Sequence, residues 1–464
     1  MRAKPEPPVS SPDHPTFEHA LPLHTARPAV PPRPEDASGF ARLLRKVDFR
    51  DLWTAQCISQ LAQNLMTFAL LVVVYEVSQS ASQVAAVAVA LTFPGVIFSA
   101  PAGVYADRHD KRTLMIVTNL MRAALLLLFP VTQLLPGLRH EAWPLLVITF
   151  LFSSAGQIFA PAEAASIPSL VSREQIQGAM SLFMTTVIFT IVLGSVVAPL
   201  TLLAGDVVPF YVAAALFAVA AFFVWRIRSP LRALEPGTVP QTHALQELRD
   251  GLGILRRSPA LRWGMIQLAL ALIVVFTIYA LSGPYLTREL HRSANDISIV
   301  LVPAMFGLVG TAGILGQHLI TLARRVMLVA ALFTAGGCLV AMGIAPSVFR
   351  HLGIGGLLVP LVVLLGLIFG CALGALLIPA FSVLQEGTTE ESRGRIFGSV
   401  FTVINAAIAL PLLVAGGATD LTHSVAGVVI AFGAAVLGVG VVFRTLLWHQ
   451  LTVLDPLHGT GAPG

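Results

Sequence analysis

Gly103-Val-Tyr-Ala-Asp-Arg-His-Asp-Lys-Arg112 is one of the few dense clusters of charge in this chain, and it stands between two long apolar runs. A polar connection this short cannot be a domain, so the runs on either side are antiparallel neighbours. The rest of the sequence repeats that plan of apolar run, short loop, apolar run. Of 464 residues, 56% are hydrophobic and only 11% charged, where a soluble globular protein carries about 25% charged residues. The composition therefore reads as a membrane protein. A bilayer core takes roughly 20 apolar residues per helix. The runs have that length and lack the alternation of a barrel strand, so the expected fold is all-α.

Spans are expected at 53–76, 83–105, 113–135, 143–165, 176–204 and 207–226, and again at 261–285, 296–318, 326–345, 356–382, 394–416 and 424–447. The reading divides the chain into a Pro-rich disordered tail (1–45), a six-helix bundle (46–226), a polar linker (227–259), a second six-helix bundle (260–447) and a short tail (448–464). The first 38 residues lack the short apolar core of a secretion signal. In the linker, Leu245, Leu248, Leu252 and Leu255 fall at helical spacing, predicting an amphipathic helix over His243–Arg257 that lies on the membrane surface or links the bundles in solvent.

With the N-terminus inside, 20 of the 29 Lys and Arg fall in inside segments near the spans, against four on the other side (Arg139, Arg288, Arg292 and Arg350). That bias predicts both termini in the cytoplasm of a multi-pass inner-membrane protein. The charge is spread over loops rather than gathered on one groove-sized face, which argues against nucleic acid as a partner. The halves echo one another weakly: Lys111-Arg112 matches Arg324-Arg325, and Pro161-Ala162 matches Pro379-Ala380. Six spans per half keep the repeats parallel, about an axis along the membrane normal, with a substrate site expected at midplane between them.

Gly103-x-x-Ala-Asp107-Arg108-x-Asp110-Lys111-Arg112 resembles the loop motif between spans two and three of the major facilitator superfamily. On physical grounds Gly103 is expected to let helices approach closely, and Asp107 to complement the positive start of span three. The resemblance implies a conformational latch against the start of span eleven, where Arg393 and Arg395 are the partners for an acid. Asp110 stands where the motif usually has a second glycine, and this is similar to the macrolide-efflux and enterobactin-exporter-like branch. Phe49-Arg-Asp-Leu-Trp53, Ile167-Pro-Ser-Leu-Val171 and Arg393-Gly-Arg-Ile396 resemble the same branch. It implies a monomeric secondary transporter, without cofactor, that exports small amphipathic or hydrophobic compounds of the drug or macrolide type in exchange for protons. A siderophore exporter, a lysophospholipid translocator and a non-transporting sensor are the alternatives on the same fold.

An enzyme is not expected. The sequence has no phosphate-cradling Gly-x-x-x-x-Gly-Lys-Ser/Thr, and His140-Glu141 fails as a zinc motif because Pro144 stands where the second histidine belongs. Cys57, Cys338 and Cys371 all lie in apolar runs without metal spacing.

Polar residues inside the spans are the candidate site. Arg122 lies about 15 Å into span three. Either it is held structurally by Asn119, Gln157 or backbone carbonyls, or it attracts anionic or carbonyl-rich groups of a substrate. Gln56, Gln60, Gln63, Asn64 and Thr67 share one face of span one, to line a water-filled cavity or to bind helices together. Gln157, Gln267 and Asn405 complete the candidate cavity set. Carboxylates at depth are nearly absent. Glu163, near the cytoplasmic end of span four, is the proton-coupling candidate, unless it only faces water at the helix end.

Overall fold

Inside a bilayer no water is present to bond a stray N–H or C=O, so an apolar segment satisfies its own backbone as a helix. The computed structural model describes residues 36–138, 141–231, 244–318, 323–388 and 390–455, and among them it is helical wherever the sequence is apolar. The first half comprises α1 (Asp36–Leu44), α2 (Val47–Ser78), α3 (Ala81–Arg108), α4 (Lys111–Leu134), α5 (Trp143–Leu170), α6 (Ile176–Leu202) and α7 (Val208–Arg226). After α8 (Ala244–Arg257) come α9 (Pro259–Arg288), α10 (Ser298–His318), α11 (Arg324–His351), α12 (Leu358–Glu386), α13 (Glu390–Thr422) and α14 (Val425–Thr445). Eleven of these helices are long and apolar enough to cross a membrane, and α10 carries a shorter apolar stretch, Ser298–Thr311. Twelve spans are compatible with that set.

Aromatic and aliphatic residues divide by face. Phe49, Phe152, Phe210 and Phe217 are buried, whereas Phe189, Leu134, Leu203 and Leu410 project outward where lipid tails take the place of water. In the first bundle α2 packs on α6 and α7, α4 on α5 and α7, and α3 on α5. In the second, α12 packs on α9, α10 and α11, and α14 on α11. The α10–α12 contact depends on small residues: a Cβ added at Gly370 would lie 1.8 Å from the carbonyl oxygen of Ala304. Lipid tails are as apolar as the helices, so close backbone approach of this kind is a main source of association between spans. The bundles meet mainly where α3 lies along α13, with α6 against α10 as a lesser contact.

The weak internal repeat has a structural counterpart. Arg112, at the start of α4, donates to the carbonyl of Trp225 at the end of α7. Arg325, at the start of α11, lies 4.8 Å from the centre of the Trp448 ring, just beyond α14.

Three expectations are corrected. The tail does not run to residue 45, because prolines stop at Pro34 and α1 begins at Asp36; Leu43 is buried with Phe49 and Leu52. The amphipathic helix forms as α8, but it packs on α13 and α3 with Leu255 buried rather than lying only on lipid or in solvent. The final tail is anchored as far as Asp455, which pairs with Arg325 at 2.9 Å beside the buried Leu451 and Leu454. Residues 1–35, 232–243 and 456–464 of the expected tails and linker lie outside the described residues.

Gly370→Ala should destabilise the folded protein by about 1–3 kcal/mol, the usual cost of overpacking. Gly337→Ala, where a Cβ meets nothing within 4 Å, should leave it unchanged. Thermal unfolding in detergent, read as loss of the monodisperse peak, compares the two.

Candidate functional site

Arg122 projects from α4 into the first bundle and is only 5% exposed. Its guanidinium donates to Gln63 Oε1 on α2 and lies between two rings, 4.5 Å from the centre of Phe152 on α5 and 4.2 Å from that of Phe217 on α7. Gly156 on α5 faces the guanidinium, where a Cβ would sit in ordinary contact 3.8 Å from its carbon. Of the alternatives offered for a structural role, neither Asn119 nor Gln157 is the partner; the rings and Gln63 take that place because Arg122 points across the bundle toward α2 and α7. Desolvated cation–π contacts contribute about 2 kcal/mol or more, which offsets part of the cost of burying the charge.

Not all of the polar atoms around it are satisfied. Among the described residues, Arg122 Nε, both amide atoms of the fully buried Asn119 and Glu163 Oε1 have no hydrogen-bond partner. Glu163, on α5, is 9% exposed and, among the described residues, has no ion-pair partner within 4.0 Å, so it and Arg122 act on one another only across a longer distance. Buried polar atoms are normally bonded, and these four all fall in the first bundle.

The span-one stripe divides between neighbours. Gln63 accepts from Arg122 and donates to Thr67 Oγ1 at 3.3 Å, while Asn64 donates to Thr190 Oγ1 on α6 at 3.4 Å. Gln56 is buried, and Gln60 is half-buried. Gln157 and Asn405 converge on Gly95 of α3: a Cβ at Gly95 would lie 2.4 Å from Asn405 Nδ2 and 3.6 Å from Gln157 Oε1. That convergence brings α5 and α13, from different bundles, to one point. Gln267 stands apart, 1% exposed in the second bundle and donating to the Leu376 carbonyl of α12 at 2.8 Å.

The α3–α13 seam runs past this point. Ser99 and Thr402 hydroxyls are 2.9 Å apart on one side of Gly95, and on the other the helices close up at Gly416, where a Cβ would meet the Ala81 carbonyl at 2.7 Å. One turn further, Asp420 of α13 accepts from the backbone N–H groups of Ala81 and Ser82 (both 2.9 Å) and from Ser80 Oγ (2.7 Å). The first N–H groups of a helix have no intrahelical acceptor. Here a carboxylate from the other bundle supplies it, at the helix end that favours negative charge. Arg288 of α9 approaches Asp420 at 3.9 Å and donates to the Gln79 carbonyl, and Tyr75 and Thr287 hydroxyls meet at 2.9 Å. The bundles are thus fastened at the end that carries the α2–α3 turn. At the opposite end α5 and α12 form no such seam among the described residues. Asp420, Tyr75 and Thr287 escaped the sequence reading, and Arg288 entered it only as an outside charge; the Ser78–Ser82 turn and an acid just past span eleven were the signals.

In the loop motif, Gly103 does not permit a close helix approach, for a Cβ there would meet nothing within 4 Å. The acid that caps α4 is Asp110 rather than Asp107: Asp110 Oδ2 accepts from Thr113 N at 2.9 Å and Thr113 Oγ1 at 2.6 Å. The reason is that α3 continues through Asp107 to Arg108. Arg108 is exposed, and the Lys111 N–H donates to the Leu231 carbonyl at 3.1 Å. The side chains of Asp107, Arg393 and Arg395 lie outside the described residues.

The sequence matches the profile of the Major Facilitator Superfamily over residues 52–412. The chain belongs to that superfamily. As a Major Facilitator Superfamily member it is a multi-pass membrane transporter of small molecules rather than an enzyme. Macrolide efflux protein A of Streptococcus pyogenes is 22% identical over 388 residues, covering 79% of this chain and 88% of that protein. The enterobactin exporter EntS of Shigella boydii serotype 18 is 27% identical over 410 residues, covering 84% and 90%. A solved structure of a bacterial homolog of the human lysosomal transporter Spinster, inward-facing and unoccupied, superposes with a TM-score of 0.60 at 13% identity, covering 91% of this chain and 97% of that one. That last likeness shows the fold alone.

Asp420→Ala should remove a cap of about 1 kcal/mol and loosen the fastened end. Labelling of a cysteine placed at Tyr279, behind the Phe68 ring (5.1 Å away), should then speed up several-fold; an unchanged rate contradicts the cap's role.

Proposed function

We propose that this transporter is a secondary active exporter of small amphipathic or hydrophobic compounds of the macrolide type. In this reading protons drive it by alternating access across the inner membrane, and both termini lie in the cytoplasm. The observation that carries the reading is Glu163, a carboxylate buried in a span with one oxygen unpartnered and within reach of the Arg122 charge. An ionisable group in that position is costly, which supports a functional role for it. Taking up or releasing one proton at Glu163 changes the charge facing Arg122 by one unit, and so changes the hold of Arg122 on a carbonyl-rich or anionic substrate group. The two rings on Arg122, with Gln60, Gln63, Asn64, Gln157 and Asn405, offer the mix of apolar area and sparse neutral polar groups that suits a bulky amphipathic ligand. The two named relatives are exporters, and the basic bias of the loops supports the orientation.

Two latches at opposite ends fit alternating access. Asp420 on the N-terminus of α3 fastens the outer end, and Asp107 against Arg393 and Arg395 fastens the inner end when the outer one opens. Export of a siderophore is the second reading, favoured by the enterobactin exporter among the relatives and by the cationic Arg122.

Efflux of a labelled macrolide from energised cells tests the proposal. Export should collapse with a protonophore, and Glu163→Gln should lower it by at least about tenfold, or 1.4 kcal/mol, at unchanged membrane expression. Full protonophore-sensitive export by Glu163→Gln removes Glu163 as the proton carrier. Absence of macrolide flux beside measurable siderophore flux favours the second reading.

A further inference from the structure

A cleft of about 710 Å³ opens at the end of the first bundle that carries the α3–α4 loop. Its walls are the start of α2, the start of α4, the end of α5 and the end of α7 with the segment that follows. The charged residues lining it are Lys46, Arg112, Arg226 and Arg228 against Asp48 and Asp51. Both acids are already engaged. Asp48 accepts from the backbone N–H groups of Arg228 (3.2 Å) and Ser229 (2.9 Å) and from the Ser229 hydroxyl, and Asp51 faces Arg226 at 3.3 Å. The cleft therefore keeps an excess of positive charge. Arg112 spends one N–H group on the Trp225 carbonyl, its Nε is buried without a partner, and no carboxylate among the described residues lies within 4.0 Å of it. Lys46 donates one proton to Gln175 Oε1 at 2.7 Å and has two more.

The pseudo-symmetric place in the second bundle is filled. There Arg325 is answered by Asp455 at 2.9 Å and by the Trp448 ring, and the following segment packs Leu451 and Leu454 over the site. In the first bundle the Arg112 charge is left for something else. The surroundings say what. Trp225 is 59% exposed and Val47 52%, both at helix ends that leave the membrane, and an amphipathic indole at that depth belongs to the headgroup level. Basic pockets between spans at that level suit anionic headgroups.

We propose that this cleft binds the headgroup of an anionic phospholipid, whose phosphate takes the free donors of Arg112, Arg228 and Lys46 while its tails run down the lipid face beside Trp225. Arginine is suited to this because its fork of donors matches phosphate oxygens. The bound lipid would tie α2, α4 and α7 together beside the loop motif. Which leaflet supplies the lipid rests on the orientation given above; the site itself does not.

Native mass spectrometry of the full chain, released from detergent after incubation with phosphatidylglycerol or phosphatidylcholine, tests it without reference to transport. The expected result is retention of phosphatidylglycerol over phosphatidylcholine, lowered at least about tenfold in Arg228→Gln and further in Arg112→Gln with Arg228→Gln. Arg228 is exposed beyond the end of α7, so its variant keeps the test valid if the double variant does not fold. Equal retention of both lipids, or phosphatidylglycerol retention that the variants leave unchanged, overturns the proposal. Displacement of the lipid by millimolar inorganic phosphate, with phosphate alone raising thermal stability, overturns the lipid assignment in favour of a free anion.

Discussion

A helix that starts near a membrane surface must find acceptors for its first N–H groups, and α3 finds them on the other half of the molecule. Asp420 takes the N–H groups of Ala81 and Ser82 together with the Ser80 hydroxyl, so capping one helix also holds two bundles together. The magnitudes suit a transporter. A cap contributes about 1 kcal/mol, and a hydroxyl pair such as Tyr75–Thr287 about the same. The sum holds one end shut without making the other state inaccessible, because a gap of a few kcal/mol keeps the minor state populated at 0.1–10%. The Asp420 side chain is 27% exposed, so water can take its place when the bundles part.

Deeper in the first bundle the forces are larger and less balanced. A guanidinium taken out of water costs several kcal/mol, and Gln63, Phe152 and Phe217 return only part of that. Arg122 Nε, both amide atoms of Asn119 and Glu163 Oε1 make no hydrogen bond among the described residues; the proposed function assigns them to ligand and proton. A fully satisfied network would be rigid and inert. This one is held in place by aromatic faces, which fix the position of the charge without using up its donors.

The spans, their polar stripe and the loop motif were legible because each rests on local pattern: length of apolar run, helical spacing, density of charge. What was not legible depends on which helix faces which. Arg122 and Gln63 were each singled out, yet nothing in the order of residues joins two side chains 59 positions apart. Asp420 looks like any acid at the end of a span, and its partner at Ala81 is 339 positions away. Asp110 takes the capping role expected of Asp107 because α3 runs on through Asp107 to Arg108, and Asp110, three positions later, immediately precedes α4. Gln267 shows the same limit: it is polar and inside a span, but its amide N–H donates to the Leu376 carbonyl within the second bundle, away from Gln157 and Asn405.

In the proposed alternating access the bundles swing about the α3–α13 seam, so that the Asp420 end opens only as the α5–α12 end closes. Spin-label distances in the reconstituted full-length protein test it most directly, with one pair at Gln83 and Leu421 and another at Ser172 and Gln385. On addition of a transported substrate the first distance should lengthen in the same population in which the second shortens. Both distances lengthening together, or neither responding, would contradict the account.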